Sequence, residues 1–293
     1  MSHTHTSNTM QPACLAVAMA VAAAGASLLP ERLAMPFFCL ERCNSTVPDV
    51  ERAVRAAVAQ AGVLGAVATE RYNLGAGGRL VRATNLTDSV ALLRKFGWPA
   101  SAPVIAMVSS FPYPPQFAGW MRQAFADPEP LIADLLAEAE AAGLGGFNID
   151  WEPLADTIQP ADAEAYASFL GMLARRMHQH GLSVTADVAS WSPLWNTTAL
   201  AELAAPFLDG IMTMSTYTDS QRTWPDQLRA AVAAFGPSGH LIVGLETTRI
   251  NGTAYPQEQL RQRFRALRAA GQHRVGLWRA PVPASWEPLL SGL

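Results

Sequence analysis

Residues 145–153, Gly-Gly-Phe-Asn-Ile-Asp-Trp-Glu-Pro, place three polar side chains at alternate positions of a predicted β-strand. Alternation puts Asn148, Asp150 and Glu152 on one face and the large apolar residues between them on the other. A strand of a parallel sheet is normally apolar on both faces, and burying an amide beside two carboxyl groups is costly. The stretch therefore predicts a central strand whose polar face carries chemistry, with one carboxyl group kept protonated by its neighbour.

Outward from this stretch, short apolar or β-branched runs alternate with amphipathic segments. The predicted strands are residues 35–40, 65–69, 104–108, 146–152, 183–189, 210–215, 241–245 and 275–278, and the clearest predicted helices are residues 49–61, 131–142, 161–180, 225–235 and 257–270. Eight such units predict a single (β/α)8 TIM barrel of the α/β class. A doubly wound open sheet is the alternative, but no Gly-x-Gly-x-x-Gly opens a first helix.

Composition excludes several classes of protein. The chain has 293 residues, of which 50% are hydrophobic and 15% charged, so it can bury a large core and is not a disordered protein. Its net charge is -3 and it has no basic run, which argues against a nucleic-acid partner.

The N-terminal residues predict a targeting segment. Residues 13–29 are uncharged and apolar and contain Ala-Gly-Ala at residues 24–26, a small-x-small cleavage pattern. We expect a signal peptide at residues 1–26, although it has no Lys or Arg, and a barrel domain at residues 27–293. The alternative is a short membrane anchor, for which 17 residues are marginal because a bilayer needs about 20. No later stretch is long enough to span, so no stable membrane insertion is expected after signal removal.

Two further patterns bear on the compartment. Cys39 and Cys43 are close enough to bridge across a turn but not along an extended strand, so a disulfide and a free buried pair both remain open. A metal site at these cysteines is not expected, because no His pair lies nearby. Four Asn-x-Ser/Thr sequons favour a secreted or lysosomal/vacuolar glycoprotein, at Asn44, Asn85, Asn196 and Asn251.

Acidic residues follow or end most of the predicted strands, where a (β/α)8 barrel has its active site. They are Glu41, Glu70, Asp150, Glu152, Asp187 and Glu246. For Glu41, Glu70 and Glu246, helix capping or pairing with arginine is the preferred interpretation. Residues i and i+2 of a strand lie about 6.6 Å apart, close to the separation of two groups that act on one glycosidic bond. Spacing alone does not choose between a sugar, a phosphate ester and a metal.

Residues 147–152 resemble the fourth-strand signature of glycoside hydrolase family 18, the chitinases, written D-G-x-D-x-D-x-E. The resemblance is greatest to the di-N-acetylchitobiase branch, in which the middle Asp is Asn, as at Asn148. Gly145 departs from the first Asp of both patterns. Residues 184–193 resemble the fifth strand of that branch, and residues 214–224 resemble its sixth. The resemblance covers most of the chain, but only the fourth and fifth strands are specific.

The resemblance implies a glycosidase that hydrolyses β-linked N-acetylglucosamine, in chitin fragments or N-glycan chitobiose, by a substrate-assisted retaining mechanism without a metal or organic cofactor. It makes Glu152 the acid and Asp150 the residue that orients the 2-acetamido group of the substrate. Asn148 would hydrogen-bond Asp150, and Asp187 would join the substrate-binding residues. Trp278 would be the apolar floor for the pyranose, with barrel core as an equal alternative.

The sixth strand departs from the family pattern Met-x-Tyr-Asp. Aligned on Met214, Thr216 takes the Tyr position and Tyr217 the Asp position, and alternation aims Thr216 inward and Tyr217 outward. We hypothesise that a bulge turns Tyr217 back toward the substrate. Loss of one donor at developing charge lowers rates by about 100- to 1,000-fold.

Two other functions remain open. A lectin-like barrel that binds chito-oligosaccharides with weak or no turnover would explain the departures at Gly145 and Thr216. A metal-dependent sugar isomerase or phosphodiesterase lacks the inward-facing His residues that such sites usually contain.

Overall fold

The computed structural model describes residues 27–83 and 87–293. The predicted signal peptide and the Asn85 sequon therefore lie outside the described residues. Within the described ranges, no helix is both long and apolar enough to cross a membrane.

Eight parallel strands close into a barrel with helices around it, which confirms the predicted (β/α)8 fold. In chain order the strands are β1 (Leu33–Phe38), β2 (Val67–Leu74), β3 (Leu80–Arg82), β4 (Val104–Ser109), β5 (Gly146–Asp150), β6 (Ser183–Val188), β7 (Gly210–Thr213), β8 (Leu241–Glu246) and β9 (Arg274–Trp278). Strand β1 pairs in parallel with both β2 and β9 and so closes the barrel. The short β3, which the sequence did not predict, pairs antiparallel with β2 outside the barrel.

The helices return the chain between parallel strands. They are α1 (Val47–Ala59), α2 (Ser89–Phe96), α3 (Phe117–Ala126), α4 (Glu129–Ala142), α5 (Asp162–His178), α6 (Thr197–Ala199), α7 (Trp224–Phe235), α8 (Gln257–Ala269) and α9 (Glu287–Leu290). Thr46 and Asp49 form a capping box at the start of α1, and Gly143 takes the left-handed conformation that ends α4. The crossover after β6 has one α-helical turn that continues as π-helix over residues 200–204.

The outward face of β5 packs on the helices. Phe147, Ile149 and Trp151 are fully buried, as strand alternation predicts. The Trp151 ring stacks on Phe169 of α5 with centroids 5.4 Å apart, and Phe117 of α3 meets it edge-on at 6.1 Å. This packing holds the end of β5 and thus the two carboxyl groups beside Trp151.

We expect Trp151→Ala to lower the free energy of unfolding by about 3–5 kcal/mol, because it leaves a large cavity in this aromatic cluster. Equilibrium unfolding in denaturant measures the change. Trp191→Ala is the matched control, since the Trp191 side chain is 57% exposed. A Trp151→Ala protein as stable as the control would contradict this packing argument.

Several strand boundaries differ from the prediction, and two of these differences bear on the site. Strand β5 ends at Asp150, two residues early, and β7 ends at Thr213. After β7 the chain turns, with the Tyr217 amide donating to the Met214 carbonyl at 2.9 Å. Alternation therefore stops before Thr216, and the orientation of the residues beyond it is set by the turn.

The structure distinguishes between a disulfide and a free pair for the two cysteines after β1. Cys39 and Cys43 form a disulfide with their Cα atoms 5.5 Å apart, directly after β1. The bond closes a loop of residues 39–43 at the carboxyl end of the barrel.

Candidate active site

Asp150 and Glu152 lie together at the carboxyl end of β5. Asp150 is 1% exposed, whereas the Glu152 side chain is 21% exposed. The Ser110 amide donates to the Asp150 carbonyl at 3.2 Å, and the Glu152 amide donates to the Ser110 hydroxyl at 3.0 Å. The end of β4 thereby fixes the chain between the two acids, with Asp150 at the bottom of the site and Glu152 nearer to solvent.

Arg42, in the disulfide loop after β1, bridges the two acids. Its Nη1 donates to Glu152 Oε1 at 3.1 Å, and its Nη2 donates to Asp150 Oδ2 at 2.8 Å. Nη2 also donates to the Ser109 hydroxyl at 2.6 Å. One planar guanidinium group therefore contacts both carboxyl groups of the β5 motif.

Glu70 of β2 holds this arginine in place. Its Oε2 accepts from the backbone amides of Leu40 and Arg42, and its Oε1 lies 3.3 Å from Arg42 Nε. Pairing with arginine, the preferred interpretation for Glu70, is thus what the structure contains. The pair nevertheless belongs to the site, because the same arginine contacts Asp150 and Glu152.

Asn148 and Asp187 form a second buried group in the barrel. Asn148 Nδ2 donates to Asp187 Oδ1 at 2.8 Å and to the Thr185 hydroxyl at 3.0 Å. Asn148 Oδ1 and Asp150 Oδ1 are buried and have no hydrogen-bond partner among the described residues. The predicted bond from Asn148 to Asp150 is therefore absent from this part of the chain, since the Asn148 amide nitrogen points to β6 instead.

Two aromatic rings flank the Arg42 guanidinium. Its central carbon lies 5.6 Å from the ring centroid of Trp278, at the end of β9, and 5.5 Å from that of Tyr113. The Tyr113 hydroxyl donates to Glu152 Oε1 at 3.4 Å. Trp278 is half-buried, and its ring also packs against Phe37 of the core with centroids 6.2 Å apart.

Tyr217 lies in the barrel, contrary to simple alternation. Its hydroxyl is 4.0 Å from Met212 Sδ, and its ring lies so close to Gly244 of β8 that a Cβ there would come within 2.8 Å. The Thr216 hydroxyl donates a hydrogen bond to the backbone carbonyl of Gly244 at 2.7 Å. A turn after Thr213, rather than the hypothesised bulge, brings Tyr217 inward, and Gly244 leaves the space for its ring.

Glu152 is the acid whose protonation falls near neutral pH. Burial, followed by the negative charge of Asp150, raises its pKa to about 7. Arg42 and the Tyr113 hydroxyl act in the opposite direction and limit the rise. A carboxyl group that keeps its proton to about pH 7 is suited to general acid catalysis.

Burial also raises the pKa of other acids of the site and of the inward tyrosine. Burial, then the charge of Asp150, raises the pKa of Asp187 well above its usual range. Burial likewise raises the pKa of Glu70, against the opposing charge of Arg42. Burial and the charges of Asp187 and Asp150 raise the pKa of Tyr217, so its hydroxyl is available as a donor.

The two remaining acids of the strand ends are Glu41 and Glu246. Glu41 accepts from Asn73 Nδ2 at 2.9 Å. Burial, then the charge of Asp219, raises the pKa of Glu246. Among the described residues, no three His, Cys, Asp or Glu side chains are arranged to hold a metal ion.

No protein-family model matches the sequence, and no curated protein matches it. Solved structures do match the fold. A class V chitinase from Pseudomonas fluorescens Pf-5 superposes with a TM-score of 0.71 at 14% identity, over 89% of this chain and 98% of that chain. The barrel therefore has a fold similar to that of this chitinase.

Two other solved structures share the chitinase-like fold. The spore cortex-lytic enzyme SleL of Bacillus megaterium QM B1551 matches with a TM-score of 0.70 at 13% identity, over 89% of this chain and 73% of that chain. A mutant class V chitinase from Nicotiana tobaccum, solved in complex with NAG4, matches with a TM-score of 0.67 at 12% identity, over 89% and 98%. At such identities the likeness establishes the fold, and the di-N-acetylchitobiase branch stays a prediction.

The structure brings the predicted site residues to one end of the chitinase-like barrel. Asp150 and Glu152 share Arg42, Trp278 lies against the same guanidinium group, and Asn148 joins Asp187 beneath them. The sequence analysis missed Arg42, Ser109 and Tyr113. The signal for Arg42 was weak, since an arginine after a strand usually pairs with a surface acid.

Proposed function

We propose that this protein is a glycosidase that hydrolyses β-linked N-acetylglucosamine oligosaccharides by a substrate-assisted retaining mechanism. The observation that carries the proposal is the Asp150–Glu152 pair at the open end of the barrel, with Glu152 protonated up to about pH 7. The NAG4 complex of the tobacco chitinase supports the class of substrate, as a property of that protein.

In the first step, Glu152 donates its proton to the glycosidic oxygen. The bond from that oxygen to the anomeric carbon breaks, and the acetamido carbonyl oxygen of the same sugar bonds to that carbon. Asp150 accepts a hydrogen bond from the acetamido N–H and so stabilises the cyclic cation. The unpartnered Oδ1 of Asp150 supports this role, because a buried acceptor without a donor is costly.

In the second step, Glu152, now a carboxylate, takes a proton from water as the water oxygen attacks the anomeric carbon. The acetamido oxygen leaves, and the product keeps the configuration of the substrate. Tyr217 is the donor proposed for the acetamido oxygen, and Trp278 is the apolar surface proposed for the sugar ring. Asn148 and Asp187 are proposed to support the bottom of the substrate site.

We expect the protein to release the fluorophore from N,N′-diacetylchitobiose and chitotriose glycosides, with kcat falling as pH rises above about 7. The sign follows because Glu152 must carry a proton, which it loses above its raised pKa of about 7. Initial rates between about pH 4 and 9 measure this alkaline limb. Proton NMR of the fresh product tests retention of configuration. A product of inverted configuration would overturn the retaining mechanism. The absence of turnover would overturn the proposal that the protein is a glycosidase.

A lectin-like barrel is the second candidate, because Arg42 contacts both acids and lies over the Trp278 ring. The guanidinium group occupies space beside the proposed sugar platform. Chito-oligosaccharide binding by calorimetry, without turnover by the parent protein, would support this candidate.

The cellular compartment of the protein is also a proposal. We propose that the barrel is secreted or lysosomal/vacuolar after removal of residues 1–26. The Cys39–Cys43 disulfide supports an oxidising compartment. Asn44, Asn196 and Asn251 are proposed glycosylation sites, and mass spectrometry of protein from a eukaryotic host tests both proposals.

A further inference from the structure

We propose that Arg42 is a positioning residue of this site, whose guanidinium fork orients the carboxyl groups of Asp150 and Glu152. The inference deepens the proposed function and rests on it for the role of Glu152. It assigns a task to a residue that carries no feature of the chitinase signature.

The geometry of the fork supports orientation. Nη1 contacts Glu152 and Nη2 contacts Asp150, so two acids on one strand share a single planar group. Both N–H groups of Nη2 are used, since Ser109 accepts the second. An arginine fork fixes the direction of each bond, whereas an ammonium group offers only a point charge. Arg42 therefore determines which oxygen of each carboxyl group remains free for a substrate.

Arg42 is itself held from several sides. Glu70 accepts from the Arg42 amide and lies 3.3 Å from Nε. The rings of Tyr113 and Trp278 flank the guanidinium, and the disulfide closes the loop that carries it. A side chain only 17% exposed that keeps its charge needs such partners. Its fixed place makes it part of the site rather than a mobile surface cation.

The charges around Glu152 show in which direction Arg42 moves the pKa of Glu152. The groups that face or act on Glu152 are Asp150 on β5, Arg42 after β1 and Tyr113 after β4, and Glu152 in turn acts on Asp187 of β6 and Tyr217 after β7. Glu70 of β2 influences Glu152 indirectly, because it pairs with Arg42. Asp150 favours the protonated form of Glu152, and Arg42 favours the ionised form. Removing the arginine should therefore make Glu152 hold its proton to higher pH.

The direct test is an NMR titration of the full protein labelled at the glutamate side-chain carboxyl carbon. The resonance of Glu152 is identified as the one that disappears in Glu152→Gln. In the parent we expect Glu152 to titrate near pH 7, as its raised pKa indicates. In Arg42→Gln we expect the midpoint to be higher by about one to three pH units. An unchanged or lower midpoint in a folded Arg42→Gln protein would overturn the inference.

Arg42→Lys separates charge from geometry. It keeps the positive charge, so the titration of Glu152 should stay close to that of the parent, but kcat should fall by at least about tenfold because the fork is lost. KM should change little. A kcat equal to that of the parent would overturn the orienting role. Arg52→Gln is the control, because Arg52 is an exposed arginine of α1 that pairs with Asp49.

The titration needs no substrate, so the two proposals fail separately. A shifted midpoint in Arg42→Gln with no sugar turnover by the parent would support the role of Arg42 on Glu152 and overturn the glycosidase. Turnover by the parent with an unmoved midpoint would overturn only the role of Arg42.

Discussion

Glu152→Gln is expected to lower kcat on chito-oligosaccharide glycosides by about 100- to 10,000-fold, the usual contribution of a general acid. The amide keeps the shape of the side chain and can still accept a hydrogen bond from Arg42 Nη1. It has no acidic proton for the glycosidic oxygen, so the first step loses its acid. Substrate binding should change little, which initial rates over a range of substrate concentrations would show as a nearly constant KM.

A change of leaving group makes this test specific. A dinitrophenyl leaving group departs without protonation, so Glu152→Gln should lose far less kcat/KM on that glycoside than on chitotriose, because kcat/KM does not include the second step, in which Glu152 acts as a base. Glu140→Gln, an exposed substitution on α4, is the matched control and should behave as the parent. Equal losses of Glu152→Gln on both substrates would argue that Glu152 supports the structure and does not donate a proton.

Asp150→Asn is expected to lower kcat by about 100- to 1,000-fold, because the group that stabilises the cyclic cation loses its charge. It should also move the alkaline limb of the kcat profile to lower pH. Asp150 raises the pKa of Glu152, so a neutral residue there lets Glu152 ionise earlier. Arg42→Gln should move the same limb in the opposite direction.

Asp156→Asn provides the control for this pair of opposite shifts. Asp156 is exposed in the turn that follows β5, so its replacement changes the charge of the same loop without touching the site. Its pH profile should match that of the parent. An alkaline limb that moves to higher pH in Asp150→Asn would contradict the assignment of Asp150 as the charge that keeps Glu152 protonated.

Much of the fold was predictable from local sequence. The barrel follows from eight repeated strand-helix units, and the polar face of β5 follows from the alternation of Asn148, Asp150 and Glu152. The end of β7 was not predictable in this way. Alternation describes a strand only while the chain remains extended, and the turn from Met214 to Tyr217 depends on contacts with Gly244 of β8.

The network around the acids was only partly predictable. Asp150 and Glu152 are neighbours in sequence, but Arg42 lies more than 100 positions away and reaches them from another loop. Its role depends on where β1 lies relative to β5 in the closed barrel, with Glu70 and Trp278 beside it. Contact between side chains on loops that are distant in sequence depends on the tertiary structure, and no local pattern in one sequence predicts it.

The Cys39–Cys43 disulfide connects the maturation of the protein to the arrangement of its acids. The bond spans the loop that carries Arg42, and contacts with Glu70 also hold that loop. Protein produced in a reducing cytosol would lack this covalent closure and would leave the arginine fewer restraints. If Arg42 orients the acid pair as proposed, disulfide formation contributes to assembling the site, and material for rate measurements should come from an oxidising host compartment.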